Sequence, residues 1–304
     1  MGHATGGELG AGGYQDEPRV IRANGVDLCV QTFGEPDNPA ILLICGAGAS
    51  MDWWDPELCR RLAAGDRFVI RYDGRDTGRS VTYPAGAPAY SGQDLASDAL
   101  GVLDALGVAR AHLVGISMGG ALAQVVAAEQ PERVASLVLM STTAIHPGGP
   151  GEPPLPGMSA ELRAAFAAAK PPDWSDRTAV VTRIVETERA YEGPRYFDEA
   201  AVRALAELIV DRSIDMAASM TNPMLIAGRD DSEPSPDRLS GVTAPTLVVH
   251  GTVDPLFPYA HAEALARRIP GAALLPLADV GHQVPPPPLW PTIIPALLQH
   301  TATR

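Results

Sequence analysis

Short, continuously apolar runs set the rhythm of this chain. Ala40–Cys45 reads AILLIC, with no polar residue to mark a solvent face. A run of that kind fits a strand buried on both faces, as in a parallel sheet. Similar runs recur at Phe68–Tyr72, Leu113–Gly115, Val134–Met140, Thr246–His250 and Ala272–Leu277. Helical patterns lie between most of them, including Asp55–Ala64 and Gln93–Leu106. Alternating strand and helix predicts an α/β fold with a mostly parallel central sheet flanked by helices. Near the start, Val20–Ala23 and Val26–Val30 flank Asn24-Gly25, the turn chemistry of a tight hairpin.

The rhythm breaks between about residues 144 and 241, where no convincing strand occurs. A Pro/Gly linker, HPGGPGEPPLPG, opens the interval. Three helical patterns follow, at 159–170, 177–192 and 198–220. The expected organisation is a disordered tail over residues 1–18 and an α/β core over 19–143 and 242–304. A helical insertion over 144–241 follows the sixth strand. Pro285–Pro288 connects to a last helix, Thr292–His300.

Composition narrows the function. The 304 residues are 46% apolar with a net charge of −13, so a large core forms and the surface is acidic. That charge argues against nucleic acid or an anionic membrane as partner. No apolar run approaches the roughly 18 residues of a membrane span. The N-terminal MGHATGGELGAGG lacks the apolar stretch of a secretion signal. Cys29, Cys45 and Cys59 show neither metal spacing nor a paired framework, which suits a reducing, cytoplasmic setting. No metal and no cofactor is expected. The oligomeric state is left open, with a homodimer allowed.

The chemistry starts at Gly115-Ile116-Ser117-Met118-Gly119. G-x-S-x-G between a strand and a helix is the nucleophile elbow, in which a sharp turn lifts the serine above the sheet edge. Flanking side chains would collide there, so glycine is needed two residues before and two after. The run AHLVG before it and the small-residue helix GGALAQVVAAEQ after it supply the required order. A serine hydroxyl is a poor nucleophile at neutral pH and needs a base, which in turn needs an orienting carboxylate. Both should sit just past strands, in the order serine, acid, histidine. Asp254 in HGTVDPLFP and His282 in LADVGHQVP meet that demand. His250 and His112 read as structural, His300 falls in the last helix, and His3, His146 and His261 lack a supporting context. The oxyanion donors are expected at the N–H groups of Met118 and Ala47, with Gly46 as the neighbour of Ala47.

These residues together resemble the α/β-hydrolase superfamily over nearly the whole chain, from Val20 to His300. The segment Arg71–Ser80 (RYDGRDTGRS) and the overall layout are similar to the aclacinomycin methylesterase group of polyketide tailoring enzymes. The resemblance implies a helical cap over the site and cofactor-free hydrolysis of a carboxylic ester. RYDGRDTGRS itself reads as a turn stabilised by Arg/Asp pairing. Cys45 and Ile116 stand where many members carry polar residues, which makes the site more apolar. The expected substrate is a hydrophobic small-molecule ester or lactone, a polyketide-type methyl ester being one candidate. Met51, Trp53, Trp174, Tyr196, Phe197 and Met220 are candidate pocket residues, with Gly46 beside them. A lactonase, a C–C bond hydrolase or a cofactor-free perhydrolase would keep the same triad, and a non-catalytic ligand receptor is the reading from another class. A serine at the elbow disfavours the dehalogenases and epoxide hydrolases of this fold, which use a carboxylate there.

Overall fold

The computed structural model describes residues 17–145, 154–227 and 238–302. The Gly-rich start and most of the Pro/Gly linker lie outside them. Eight strands form one sheet: β1 Arg19–Ala23, β2 Val26–Phe33, β3 Ala40–Ile44, β4 Phe68–Tyr72, β5 Ala111–Ile116, β6 Val134–Met140, β7 Thr246–Gly251 and β8 Ala273–Leu277. Their order is β1-β2-β4-β3-β5-β6-β7-β8. β2 runs antiparallel to both β1 and β4, and every pairing from β4 to β8 is parallel. Asn24 and Gly25 take the positive φ angles, 45° and 73°, that the β1–β2 hairpin needs.

Alternation along each strand sorts side chains onto two cores. Leu42, Ile44, Leu113, Leu137 and Leu139 face α2 (Gly92–Ala105), α3 (Met118–Glu129) and α8 (Ala260–Arg268). Ile41, Leu43, Val114, Val138 and Met140 face α1 (Pro56–Ala63) and α9 (Trp290–His300). Because both faces are covered, the central strands carry no polar stripe. Each fully buried aliphatic side chain contributes about 1.5–3 kcal/mol. β8 is the exception. Ala273 to Pro276 are exposed or half-buried, and Pro276, which has no N–H to donate, is tolerated because β8 is an edge strand.

Between β6 and β7 the chain forms α4 (Ala160–Ala168), α5 (Arg177–Tyr191), α6 (Glu199–Arg212) and α7 (Met216–Ala227), with no strand among the described residues. Ser159, Asp176 and Asp198 cap α4, α5 and α6 by accepting first-turn N–H groups. The 198–220 pattern is two helices rather than one. At the break the Ile214 N–H leaves the helical ladder and donates to the Gly78 carbonyl at 2.9 Å. Asp215 then restarts the chain as a helix by accepting the Ala218 N–H at 3.0 Å. α5 and α6 pack through Val180, Val181, Ile184, Val185, Val202 and Ala206, a small core of their own.

Candidate active site

β3 lies between β4 and β5, so successive connections leave it in opposite directions. Such a switch point opens a crevice beyond the carboxyl ends of the strands. The loops after β3, β5, β7 and β8 contribute to one cavity there.

Ser117 directly follows β5 at φ 54° and ψ −121°. A non-glycine residue in that region stores about 1–3 kcal/mol of strain. Neighbouring bonds hold it: its N–H donates to the Met140 carbonyl at 3.0 Å, and Thr142 Oγ1 donates to its carbonyl at 2.7 Å. Crowding explains the two glycines. A Cβ on Gly115 would lie 2.2 Å from the Gly119 oxygen, and one on Gly119 would lie 2.3 Å from the Ile44 oxygen. Ser117 occupies the cap position of α3, yet its hydroxyl accepts no capping bond. The hydroxyl is therefore left to the cavity, at the helix end that favours negative charge.

The loop after β3 presses on the same serine. A Cβ on Gly46 would lie 3.3 Å from Ser117 Cβ and 3.8 Å from its Oγ. Among the described residues, no hydrogen bond uses the N–H of Ala47 or of Met118. Both residues line the cavity.

Asp254 and His282 meet across the ends of β7 and β8. His282 Nδ1 lies 2.9 Å from Asp254 Oδ2. An ionised carboxylate can only accept, so Nδ1 carries the proton, and Nε2 makes no hydrogen bond among the described residues. Asp254 Oδ1 accepts the N–H groups of Leu256 and Phe257 at 2.9 and 2.8 Å. Burial pushes this carboxyl up, but the His282 ring, the nearby His250 and the Phe257 N–H outweigh it and hold it below the ordinary carboxylate range. Tyr191 and Phe257 flank the imidazole, with ring centroids 5.3 and 5.6 Å away. The end of α5 also grips this loop: the His282 N–H donates to the Tyr191 carbonyl at 2.8 Å.

The cavity measures about 1190 Å³ and lies between the strand ends and α4–α7. Phe166, Ile184, Ile209, Met216 and Met220 give it an apolar roof. Glu188 stands in the same wall, where burial, with Glu192 nearby, pushes its carboxyl up to about 8. A carboxyl that keeps its proton near neutrality can donate a hydrogen bond to substrate oxygen.

Ser117 and His282 line the same cavity, and Asp254 bonds His282 from behind. Gly46, Trp53, Trp174 and Met220 reach the cavity wall. Met51, Tyr196 and Phe197 are not among its lining residues. Met51 is fully buried with its backbone bonded to Asp73 and Arg71. Tyr196 packs on the β-sheet core beside Arg195, and Phe197 lies under the Arg189 guanidinium. Tyr191, Phe257 and Glu188 were not legible as site residues. Phe257 had one usable signal, its place three residues after Asp254.

RYDGRDTGRS is closed by turn bonds such as Arg79 N–H to Asp73 Oδ2 at 3.0 Å, but its charged side chains pair with other segments rather than with one another. Arg75 forks onto Asp98 of α2 at 2.7 and 2.8 Å. Asp76 accepts from Tyr90 and from Asn222 of α7. The other histidines have structural bonds: His112 to Ser136, His250 to the Phe257 carbonyl, His261 to Thr143, and His300 to the Leu137 carbonyl. His3 and His146 lie outside the described residues. The three cysteines are buried free thiols. Burial pushes Cys29 up to about 11 and Cys59 up to about 12, which makes them poor nucleophiles. Among the described residues there is no cluster suited to a metal ion and no helix long and apolar enough to cross a membrane.

Strand order and elbow define the class, a hydrolase of the α/β type. Comparison with known proteins agrees. The α/β hydrolase fold family matches residues 39–179, and a TAP-like protein family matches 216–287. A rhodomycin D methylesterase of Streptomyces sp. (strain C5) is 33% identical over 88% of this chain and 92% of its own. The rhodomycin D methylesterase of Streptomyces peucetius is 32% identical over the same shares. The crystal structure of the enol-lactonase from Burkholderia xenovorans LB400 superimposes with a TM-score of 0.70 at 25% identity, covering 93% of this chain and 99% of that one. The chain belongs to the α/β-hydrolase superfamily and is a hydrolase of the esterase type.

Proposed function

We propose that this protein hydrolyses a carboxylic ester of a hydrophobic small molecule through an acyl-enzyme on Ser117. One observation carries the reading: a strained serine hydroxyl, not used to cap its helix, shares a cavity with a buried His–Asp pair. His282 Nε2 takes the Ser117 proton as Oγ attacks the ester carbonyl. The N–H groups of Met118 and Ala47 receive the negative charge on the carbonyl oxygen, and one such donor lowers the barrier by about 3–4 kcal/mol. As the C–O bond breaks, His282 returns the proton to the leaving alkoxide. Water, deprotonated by the same nitrogen, attacks the acyl carbon; the acid leaves and Ser117 regains its proton. Asp254 fixes the imidazole tautomer and stabilises its positive charge throughout.

The cavity volume exceeds the upper end of ordinary ligand pockets, roughly 1000 Å³. A bulky, polycyclic acyl group suits it, with residues 144–241 acting as a cap. The methylesterase relatives make a methyl ester the first substrate to try. The enol-lactonase likeness supports a second reading, a lactone, whose leaving alcohol would stay tethered to the acyl group. Three free buried thiols suit a reducing compartment.

The test is fluorophosphonate labelling with peptide mapping, followed by a panel of polycyclic methyl esters and lactones. One label per chain on Ser117, with turnover of an ester that is lost in Ser117→Ala, is the expected result. No label on the folded protein would overturn the hydrolase mechanism and leave a ligand-binding role.

A further inference from the structure

A buried ion cluster lies just behind the oxyanion loop and uses a side chain from the insertion. Arg212 sits in the last turn of α6. Its Nη1 and Nη2 donate to the two oxygens of Asp73 at 2.7 and 2.6 Å, and its Nε donates to Asp52 Oδ2 at 2.7 Å. The three side chains are 9%, 0% and 7% exposed, so the pairing is not a surface contact. Gly78 leaves room for Asp73, since a Cβ there would lie 2.2 Å from Asp73 Oδ2.

Both carboxylates also hold the chain that follows Ala47. Asp73 Oδ1 accepts the Met51 N–H at 2.9 Å, and Asp52 Oδ2 accepts the Ser50 hydroxyl at 2.7 Å. Arg71 Nη1 donates to the Met51 carbonyl at 3.0 Å, and Cys45 Sγ closes the loop onto the Ser50 carbonyl at 3.2 Å. The loop 45–50 is therefore anchored at its exit by two carboxylates that share one guanidinium from α6. Removing that guanidinium leaves two like charges buried side by side, an arrangement that must relax.

We infer that Arg212 is a positioning residue, which couples docking of the insertion to the geometry of the oxyanion loop through Asp73 and Asp52. The inference rests on the proposed role of the Ala47 N–H. It makes seating of α6 and completion of the oxyanion hole one event, so that the hole is fully formed only under a closed cap. The planar fork matters: it spans two carboxylates in fixed directions, whereas the point charge of lysine does not.

The test compares wild type, Arg212→Lys and Arg212→Gly by two readouts. One is the second-order rate of Ser117 labelling by a fluorophosphonate. The other is kcat and KM for p-nitrophenyl butyrate, with circular dichroism to establish folding. Labelling and kcat should fall about 10- to 100-fold, the scale of a misplaced group, while KM changes little. Added guanidinium should restore a large part of the rate in Arg212→Gly and none in Arg212→Lys; a general loss of packing would not respond this way. If the single variants fail to fold, Arg212→Met combined with Asp52→Asn removes the guanidinium and one of the stranded charges, and should label as slowly. A folded variant that labels at the wild-type rate, or one that loses only KM, overturns the inference. Wild type that does not label at all overturns the Ser117 mechanism, and this inference with it.

Discussion

The strand ends and the insertion build the two halves of one cavity by opposite means. At the strand ends there is no spare volume. A single added carbon at Gly115, Gly119 or Gly251 would fall 2.1–2.3 Å from a backbone oxygen. Backbone crowding of that kind cannot relax by rotating a side chain, so the positions of Ser117 and His282 are set by the core itself. The insertion is held by capped helices and by exposed ion pairs such as Arg177–Asp211, whose side chains are 49% and 58% exposed. At Gly157 an added Cβ would meet only the flexible end of Arg163 at 3.4 Å. Crowding within the insertion returns where it meets the core, at Gly193, whose added Cβ would lie 2.4 Å from the Asp279 oxygen. The halves meet at buried contacts that include the Tyr191 carbonyl on the His282 N–H, Arg212 on Asp73 and Asn222 on Asp76.

The contrast can be broken most directly at the reacting groups. Ser117→Ala should lower kcat for an ester substrate by roughly 10⁴-fold or more without unfolding the protein. Asp254→Asn should cost about 10³- to 10⁴-fold by allowing the wrong imidazole tautomer. Steady-state kinetics on folded variants checks both. Next comes packing. Gly119→Ala should destabilise by about 3 kcal/mol or more in urea melts, whereas Gly157→Ala in the insertion should stay within about 0.5 kcal/mol of wild type. Comparable losses at the two glycines would erase the distinction between the halves.

A smaller effect concerns Glu188. Its folded-state value, about 8, lies above the ordinary 4.5, so the folded chain holds a proton that the unfolded chain has already released. The stability from this group is complete below about pH 4.5 and is lost as pH rises through about 8. Glu192, raised to about 7 by burial and by Asp198, adds to the same trend; Tyr191 and Arg183 also face this wall. Glu188→Gln should therefore gain little in Tm at pH 5 and about 2–4 °C at pH 9. The smallest effect is expected at Arg177→Ala, where an exposed pair is removed and Tm should not move measurably.

The strands were legible because burial on both faces leaves continuous apolar runs, and the elbow because its glycines are sterically forced. Asp254 and His282 were legible because ligands gather beyond strand ends. The cavity roof was much less so. Met51 and Phe197 carry the same apolar character as Trp53 and Met220, and only packing decides which side of a loop or helix faces the cavity. The break at Ser213–Asp215 was hidden because its apolar spacing continues the helix, and what stops the helix is a carbonyl more than 130 residues earlier in the chain. Arg212 gave no local signal for the same reason. Its partners, Asp52 and Asp73, lie in other segments, and RYDGRDTGRS looked self-contained although each of its buried charges is answered from elsewhere.

The central claim is a covalent acyl-enzyme on Ser117, and trapping it is the most direct measurement. The protein would be mixed with excess p-nitrophenyl acetate, quenched in acid within the first turnovers, digested and mapped by mass. One acetyl group is expected on the peptide containing Ser117, and none in Ser117→Ala. Acetyl groups only on other residues, or turnover with no acylated peptide at any quench time, would contradict it.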